Sequence, residues 1–119
     1  MTYEELVATL KQAYSTADAS KIKEHVAIQF NVTGEGSGAL YVKIADGQID
    51  IQPYEYYDRD VLVTTSAENL IAIAEGKLDP VNAYLTGKIK ASGDLGKAVL
   101  LKEIVPKQPK TRGRKPKKQ

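Results

Sequence analysis

The middle of the chain alternates between apolar and polar residues, and this period of two restricts it to a sheet with one buried face. The alternation runs through residues 28–33 and, after a glycine-rich turn at residues 34–38, returns in residues 40–44. Asp46-Gly47 follows, which is a strong short signal for a tight hairpin, and the alternation continues beyond it. We therefore predict three consecutive antiparallel strands.

Helix signals lie on both sides of this sheet segment. Thr2 and Glu5 have the spacing of a capping box and precede apolar residues that fall on one helical face. After a more buried strand at residues 61–63, Thr65 and Glu68 repeat that spacing. We therefore predict a second helix that begins near Ser66 and ends at Gly76.

Proline, glycine and aspartate divide the following segment into short pieces. Asp79 caps a short helix whose first residue is Pro80, where the missing proline N–H costs nothing, and Gly87 ends it. A last short strand is predicted at residues 88–91, and Asp94 caps a final helix. Strands that come first and helices that follow them predict the α+β class rather than an alternating parallel sheet.

An ordered series of residues between Tyr3 and Ile104 carries more information than any one of its members. The series comprises Phe30, the hairpin at residues 40–51, Asp60 with residues 61–63, Leu70, Ala74, Gly76, Lys77, Leu78, Asp79, Pro80, Ala83, Gly87, Lys88, Ile89, Gly93 and Asp94. It resembles the pattern of the sterol carrier protein type 2 family of lipid-binding domains.

The resemblance implies both an architecture and a function. The implied fold is a five-stranded, mostly antiparallel sheet covered by helices, with an apolar tunnel between the sheet and the C-terminal helices. The implied function is non-catalytic binding, and transfer, of a lipid such as a fatty acid, acyl-CoA, sterol or phospholipid. Burial of an acyl chain is a sufficient driving force, at about 0.8 kcal/mol per methylene group.

Seven apolar side chains match positions that line such a tunnel. They come from the short helix region and from the final helix: Leu78, Val81, Tyr84, Leu85, Leu95, Val99 and Leu100. The alternative is that these side chains fill the core, since packed interiors and apolar pockets use the same residue types.

The charge distribution divides the chain into a domain, residues 1–105, and a basic tail, residues 106–119. The tail holds seven bases and no acid, whereas the preceding residues hold ten bases and fifteen acids. Prolines and a glycine interrupt the tail, and it has no large apolar side chain to bury. We expect it to be disordered until it contacts a polyanion.

The tail resembles an AT-hook, in which an extended Arg-Gly-Arg core occupies the minor groove of A·T-rich DNA. Its predicted polyanion-binding residues are Lys110, Arg112, Gly113, Arg114, Lys115, Lys117 and Lys118. A typical hook has proline directly after the second arginine, and Lys115 stands there instead. Three alternatives remain open for the tail: DNA, an anionic membrane surface, and no specific partner. The second candidate function is therefore that of a nucleic-acid-associated protein.

Catalytic and metal-binding chemistry finds little support in the sequence. The chain has no cysteine, and His25, its only histidine, has no obvious nucleophile beside it. Asp58 and Asp60 supply too few oxygens for calcium, and the glycine-rich turn lacks the lysine and helix of a phosphate loop. We predict no catalytic residue, metal or cofactor. Because no long apolar run or basic leader is present, we also predict a cytoplasmic location. The lipid's identity and the oligomeric state stay open.

Deletion of residues 107–119 distinguishes the two candidate functions. If the chain is a lipid-binding protein, the shortened protein keeps its affinity for a fluorescent fatty acid in a titration. If it is a DNA-associated protein, the intact chain binds duplex DNA with a steep dependence on salt, and the deletion abolishes that binding because the counterion-releasing bases are gone.

Overall fold

The computed structural model of the protein describes residues 1–104. Its strands are β1 (Val26–Thr33), β2 (Gly38–Ala45), β3 (Gln48–Gln52), β4 (Val61–Ser66) and β5 (Lys90–Gly93). Its α-helices are α1 (Tyr3–Tyr14), α2 (Ala67–Ala74), α3 (Pro80–Leu85) and α4 (Leu95–Ala98), and a 3₁₀ helix (Val99–Ile104) follows α4. The predicted basic tail and the predicted domain boundary at residue 105 lie outside the described residues.

The five strands form one sheet in the order β3-β2-β1-β4-β5. The pairs β1–β2, β2–β3 and β4–β5 are antiparallel, and only β1–β4 is parallel among the described strands. The three consecutive antiparallel strands predicted from the alternation are therefore confirmed, as is a mostly antiparallel five-stranded sheet. The parallel pair places the first and fourth strands side by side at its centre.

One face of the sheet carries the core. Phe30 of β1 aligns with Leu40 of β2 and with Val63 of β4, so the alternating apolar residues of three strands share this face. These side chains are buried in one cluster with residues of α1, α2, α3 and the 3₁₀ helix, including Leu10 of α1 and Leu70 of α2. The helices therefore pack on a single side of the sheet.

The opposite face is covered by the connection between β3 and β4, residues 53–60. Because β2 and β1 lie between these strands, the connection must cross both. The Tyr56 ring lies 4.7 Å from the Tyr41 ring of β2, measured between centroids. The Gln29 side chain of β1 accepts hydrogen bonds from the Tyr56 N–H (3.1 Å) and from the Arg59 guanidinium (3.2 Å). Gln29 is consequently only 3% exposed, so β1 is buried on both faces. The alternation of its residues had predicted burial on one face only.

Asp60, at the end of this connection, joins separate parts of the chain. Its N–H donates to the Ala27 carbonyl (2.7 Å), and its carboxylate accepts from the Ala27 N–H (2.9 Å). Its carbonyl accepts from the Asp94 N–H at 2.8 Å. Asp60 therefore fixes β1 to the start of β4 and to the residue that caps α4.

The capping box predicted for α1 is present. The Thr2 hydroxyl accepts from the Glu5 N–H (3.1 Å), and the Glu5 carboxylate accepts from the Thr2 N–H (2.7 Å). These hydrogen bonds lower the pKa of Glu5. At the other end of α1, Tyr14 is buried, and its burial raises the pKa of the phenol.

The predicted start of α2 near Ser66 is confirmed, but the capping box predicted at Thr65 is wrong. Ser66 caps α2, and its hydroxyl accepts from the Asn69 N–H at 3.2 Å. Thr65 still belongs to β4, where its side chain is buried and donates to the carbonyl of Lys88 at 3.1 Å. The sequence spacing could not distinguish two adjacent hydroxyl residues, because the sheet decides which of them leaves the strand.

The boundaries of the last elements also differ from the prediction. Asp79 and Pro80 begin α3 as expected. The Lys88 N–H donates back to the Ala83 carbonyl (2.8 Å) in the turn that follows α3, and β5 begins two residues later than predicted. The final helix is a single α-turn capped by Asp94 and continued as a 3₁₀ helix. In the part of the chain that is described, no helix has the length and apolar character needed to cross a membrane.

Substitution of Gly93 by alanine tests the close approach at Asp60. A Cβ on Gly93 would lie 2.4 Å from the Asp60 carbonyl oxygen, and the glycine φ is +104°. We expect Gly93→Ala to lower the free energy of unfolding by about 3 kcal/mol, from the clash and the strained backbone together. Gly87→Ala is the control, because Gly87 has φ +81° and no atom within 4 Å of the added Cβ. It should lose only about 1 kcal/mol in urea titrations. Equal losses would contradict this account.

Candidate functional site

An apolar cavity of about 100 Å³ lies between the β4–β5 edge of the sheet and the helices α3, α4 and 3₁₀. Its wall consists of Val63, Pro80, Val81, Tyr84, Ile89, Ala91, Leu95, Ala98, Val99 and Leu101. Within the described chain, the Tyr84 hydroxyl is the only polar side-chain group in this wall. Such a surface can exclude water and hold hydrocarbon.

The cavity has a buried floor and an exposed rim. Val63 and Ile89 of the floor are buried, whereas Tyr84, Leu95 and Val99 are each about two-fifths exposed. The floor belongs to the sheet and to the segment before β5, and the rim belongs to the short helices. The cavity therefore opens to solvent beside the helices.

Four of the seven predicted lining residues lie in this wall. Val81 and Tyr84 are three apart on α3, and Leu95 and Val99 are four apart, so each pair shares a helical face that points at the cavity. Their role in binding a ligand stays a prediction.

The other three predicted residues lie outside the wall. Leu78 and Leu100 are half-buried and pack against the core cluster. Leu85, the last residue of α3, is 75% exposed and is not part of the wall.

The sequence reasoning missed six wall residues: Val63, Pro80, Ile89, Ala91, Ala98 and Leu101. Val63 and Ala91 are register partners in neighbouring strands, and the period of two could have placed both on the face covered by helices. Ala91 of the sheet and Ala98 of α4 both belong to the wall. Because alanine side chains are short on both sides, they leave space between the layers.

A polar cluster holds α4 beside this cavity. The Lys97 ammonium donates to the Asp60 carboxylate (3.3 Å) and to the His25 carbonyl (3.2 Å). Since the Asp94 N–H also donates to the Asp60 carbonyl, both α4 and its cap depend on one aspartate. The wall formed by α4 is fastened by polar contacts, because no residue of α4 itself is buried.

These contacts define the role of Asp60, which the sequence alone did not determine. Its carboxylate is engaged by a backbone N–H and an ammonium group, which gives it a structural role in place of cation binding. The structure contains no group of three or more His, Cys, Asp or Glu able to hold a metal ion within residues 1–104. The His25 side chain is exposed, and its carbonyl is the group that contacts Lys97.

A second hollow, of about 660 Å³, lies between the β1–β2 turn and α2. It is larger, but it is open and its wall mixes apolar groups with Glu35, Glu68, Glu75 and Lys77. Such a wall offers charged groups in place of a dry surface, so it suits hydrocarbon less well than the smaller cavity. The predicted polyanion-binding residues of the tail lie outside the described residues.

Residues 6–106 match the profile of a family described as the SCP-2 sterol transfer family. Among curated proteins, hydroxysteroid dehydrogenase-like protein 2 from Xenopus tropicalis is 29% identical over 102 residues. The match covers 84% of this chain and 24% of that protein, so the chain spans about a quarter of the relative's length.

Solved structures share the fold. Palmitated SCP2L2 from Aedes aegypti superposes with a TM-score of 0.61 at 25% identity, covering 87% of this chain and 93% of that one. The sec-alkylsulfatase Pisa1 from Pseudomonas sp. superposes with a TM-score of 0.71 at 19% identity, covering 84% of this chain and 16% of that one. The second likeness concerns the fold alone.

Replacement of Lys97 by methionine tests the attachment of α4. Methionine keeps most of the apolar stem and removes the ammonium, so we expect faster amide hydrogen exchange in residues 94–99. We expect a loss of about 0.5–1 kcal/mol in stability as well. Lys77→Met is the matched control, because the Lys77 ammonium pairs with the Glu75 carboxylate at 3.2 Å near the surface and away from Asp60. If both variants exchange at the wild-type rate in this segment, the polar cluster does not hold α4.

Proposed function

The chain belongs to the SCP-2 sterol transfer family, and we propose that it binds the hydrocarbon chain of a lipid in the apolar cavity and releases it unchanged. The observation that carries this proposal is the wall itself, ten residues with one polar side-chain group among them. Each methylene group that leaves water for this wall contributes about 0.8 kcal/mol, so affinity needs no further chemistry.

The ligand that fits this cavity best is a single acyl chain, as in a fatty acid or acyl-CoA. Lipid sites are commonly about 300–1,000 Å³, and this cavity is smaller, so the occupant must be narrow or must widen it. A flexible chain can enter stepwise, whereas the rigid rings of a sterol require the full width at once. The palmitated state of the Aedes aegypti relative supports the same choice.

The rim and the floor of the cavity contact different ends of the ligand. The apolar floor around Val63 receives the methyl end, and the carboxyl or thioester end stays at the rim beside the Tyr84 hydroxyl. A tyrosine suits this position, because its ring contacts hydrocarbon and its hydroxyl contacts water or a polar head group.

The composition of the wall supports binding of the lipid without catalysis. Within residues 1–104 the wall has no carboxylate, imidazole or primary amine to act as an acid or base at neutral pH. The dehydrogenase-like and alkylsulfatase relatives are several times longer than this chain, and their names describe the whole proteins. The cytoplasmic location and the DNA-associated alternative remain predictions from the sequence.

Filling the cavity tests the proposal. We expect Ala91→Phe to weaken the binding of a fluorescent fatty acid at least tenfold in a titration, because the ring occupies the space between sheet and α4. Ala45→Phe is the matched control, since Ala45 is a half-buried strand alanine that pairs with Gln48 and faces the opposite side of the sheet. It should bind like the wild type.

A second variant distinguishes loss of binding from misfolding. Val99 is partly exposed at the rim, so Val99→Asp should fold normally, and its carboxylate should repel a fatty acid and disrupt the dry wall. Urea titration checks the stability of each variant. Wild-type affinity in both Ala91→Phe and Val99→Asp would refute the cavity as the binding site.

A further inference from the structure

Exposed apolar side chains surround the mouth of the cavity. Tyr84 (43% exposed), Leu95 (38%) and Val99 (41%) line it, and Leu85 (75%) lies next to Tyr84 at the end of α3. The other exposed large apolar residues within the described chain are distant in sequence from this region, on the N-terminus and on the connection over the opposite face. Single exposed apolar residues are ordinary, but four around one opening form a surface that normally contacts a partner.

The same end of the molecule is positively charged. Residues 80–104 hold four lysines and two acids, whereas residues 1–79 hold six bases and thirteen acids. Lys88 is exposed directly after the turn that ends α3, and Lys102 is exposed next to Leu101 of the wall. The chain leaves the described structure from the 3₁₀ helix, which packs against α3, and its remaining residues add seven bases. Exposed apolar side chains and an excess of lysines over acids therefore occur together in residues 80–104.

We propose that this rim, comprising Tyr84, Leu85, Leu95 and Val99 with Lys88 and Lys102, docks on the anionic surface of a lipid bilayer. Leucine and valine side chains enter the boundary between head groups and acyl chains, and tyrosine is favoured at that depth. Lysines contact the lipid phosphates, and each contributes about a fivefold gain in affinity near an anionic surface.

Charge argues for a bilayer over a second copy of this chain. Two copies joined rim to rim would bring two positive surfaces together, which opposes association. An anionic bilayer supplies the opposite sign, and it also supplies hydrocarbon for the exposed apolar side chains.

Docking in this orientation has a direct consequence for the ligand, and this step rests on the proposed function. The mouth then faces the acyl-chain region, so a fatty acid passes between bilayer and cavity without exposing its full length to water. The acidic remainder of the molecule faces away from the anionic surface.

Vesicle flotation tests the docking surface. The full chain should bind vesicles of phosphatidylcholine mixed with phosphatidylglycerol and should bind pure phosphatidylcholine much more weakly. Leu85→Ser should weaken binding about tenfold, because Leu85 loses its contact with the bilayer. Tyr57→Ser is the control, since Tyr57 is 99% exposed on the connection over the opposite face, and it should bind like the wild type.

A pair of charge variants tests the second component. Lys88→Gln with Lys102→Gln should weaken binding to the anionic vesicles roughly 25-fold. Lys21→Gln with Lys77→Gln removes the same charge from exposed sites elsewhere and should have a much smaller effect. Wild-type binding by both Leu85→Ser and the Lys88/Lys102 variant would overturn the proposal. Equal losses in the variants and their controls would also overturn it.

A fatty acid titration without vesicles separates this proposal from the preceding one. Leu85 lies outside the cavity wall, so Leu85→Ser should keep the wild-type affinity for fatty acid. Fatty acid binding with no vesicle binding refutes the docking surface and leaves the proposed function intact; the reverse result refutes the proposed function alone. Dimers in sedimentation experiments that Leu85→Ser dissociates would assign the rim to a second copy and overturn the bilayer proposal.

Discussion

The contacts of Asp60 are the constraint on which the cavity depends. Through backbone and carboxylate it binds Ala27 of β1, the cap of α4 and the Lys97 ammonium. The helix α4 is one turn long and has no buried residue, and such a segment is not stable by itself. It is held at one end by this aspartate and at the other by the buried side chains of the 3₁₀ helix. A wall held by these contacts can remain close to the sheet and still leave space beneath it.

Local signals in the sequence predicted the parts of the fold that depend on neighbouring residues. The hairpins, the α1 capping box and the Asp79-Pro80 start of α3 all involve contacts within a few positions along the chain. What the sequence could not show depends on distant segments. The burial of Gln29 results from a connection that crosses the sheet from another strand. The selection of four wall residues from seven candidates depends on how each helix is rotated against the sheet, and a helical period fixes the relative but not the absolute direction of side chains.

The wall of the cavity combines a rigid part, the sheet, with a less rigid part, the short helices. Val63 belongs to a central strand paired on both sides, whereas Leu95 and Val99 belong to short elements with few buried side chains. Segments with few buried contacts open at low free-energy cost, and paired strands do not. A ligand that needs more volume than the present 100 Å³ would therefore displace the short helices and leave the sheet unchanged.

The two outermost strands have a consequence for the protein at high concentration. An open sheet exposes unpaired N–H and carbonyl groups at each edge, and long flat edges recruit further chains into fibrils. Here β3 has five residues and β5 has four, and each carries a charged side chain, Asp50 and Lys90 respectively. Short edge strands that carry charged side chains disfavour strand addition by a neighbouring molecule. The architecture therefore resists amyloid-like aggregation even though its interior is rich in β-branched residues.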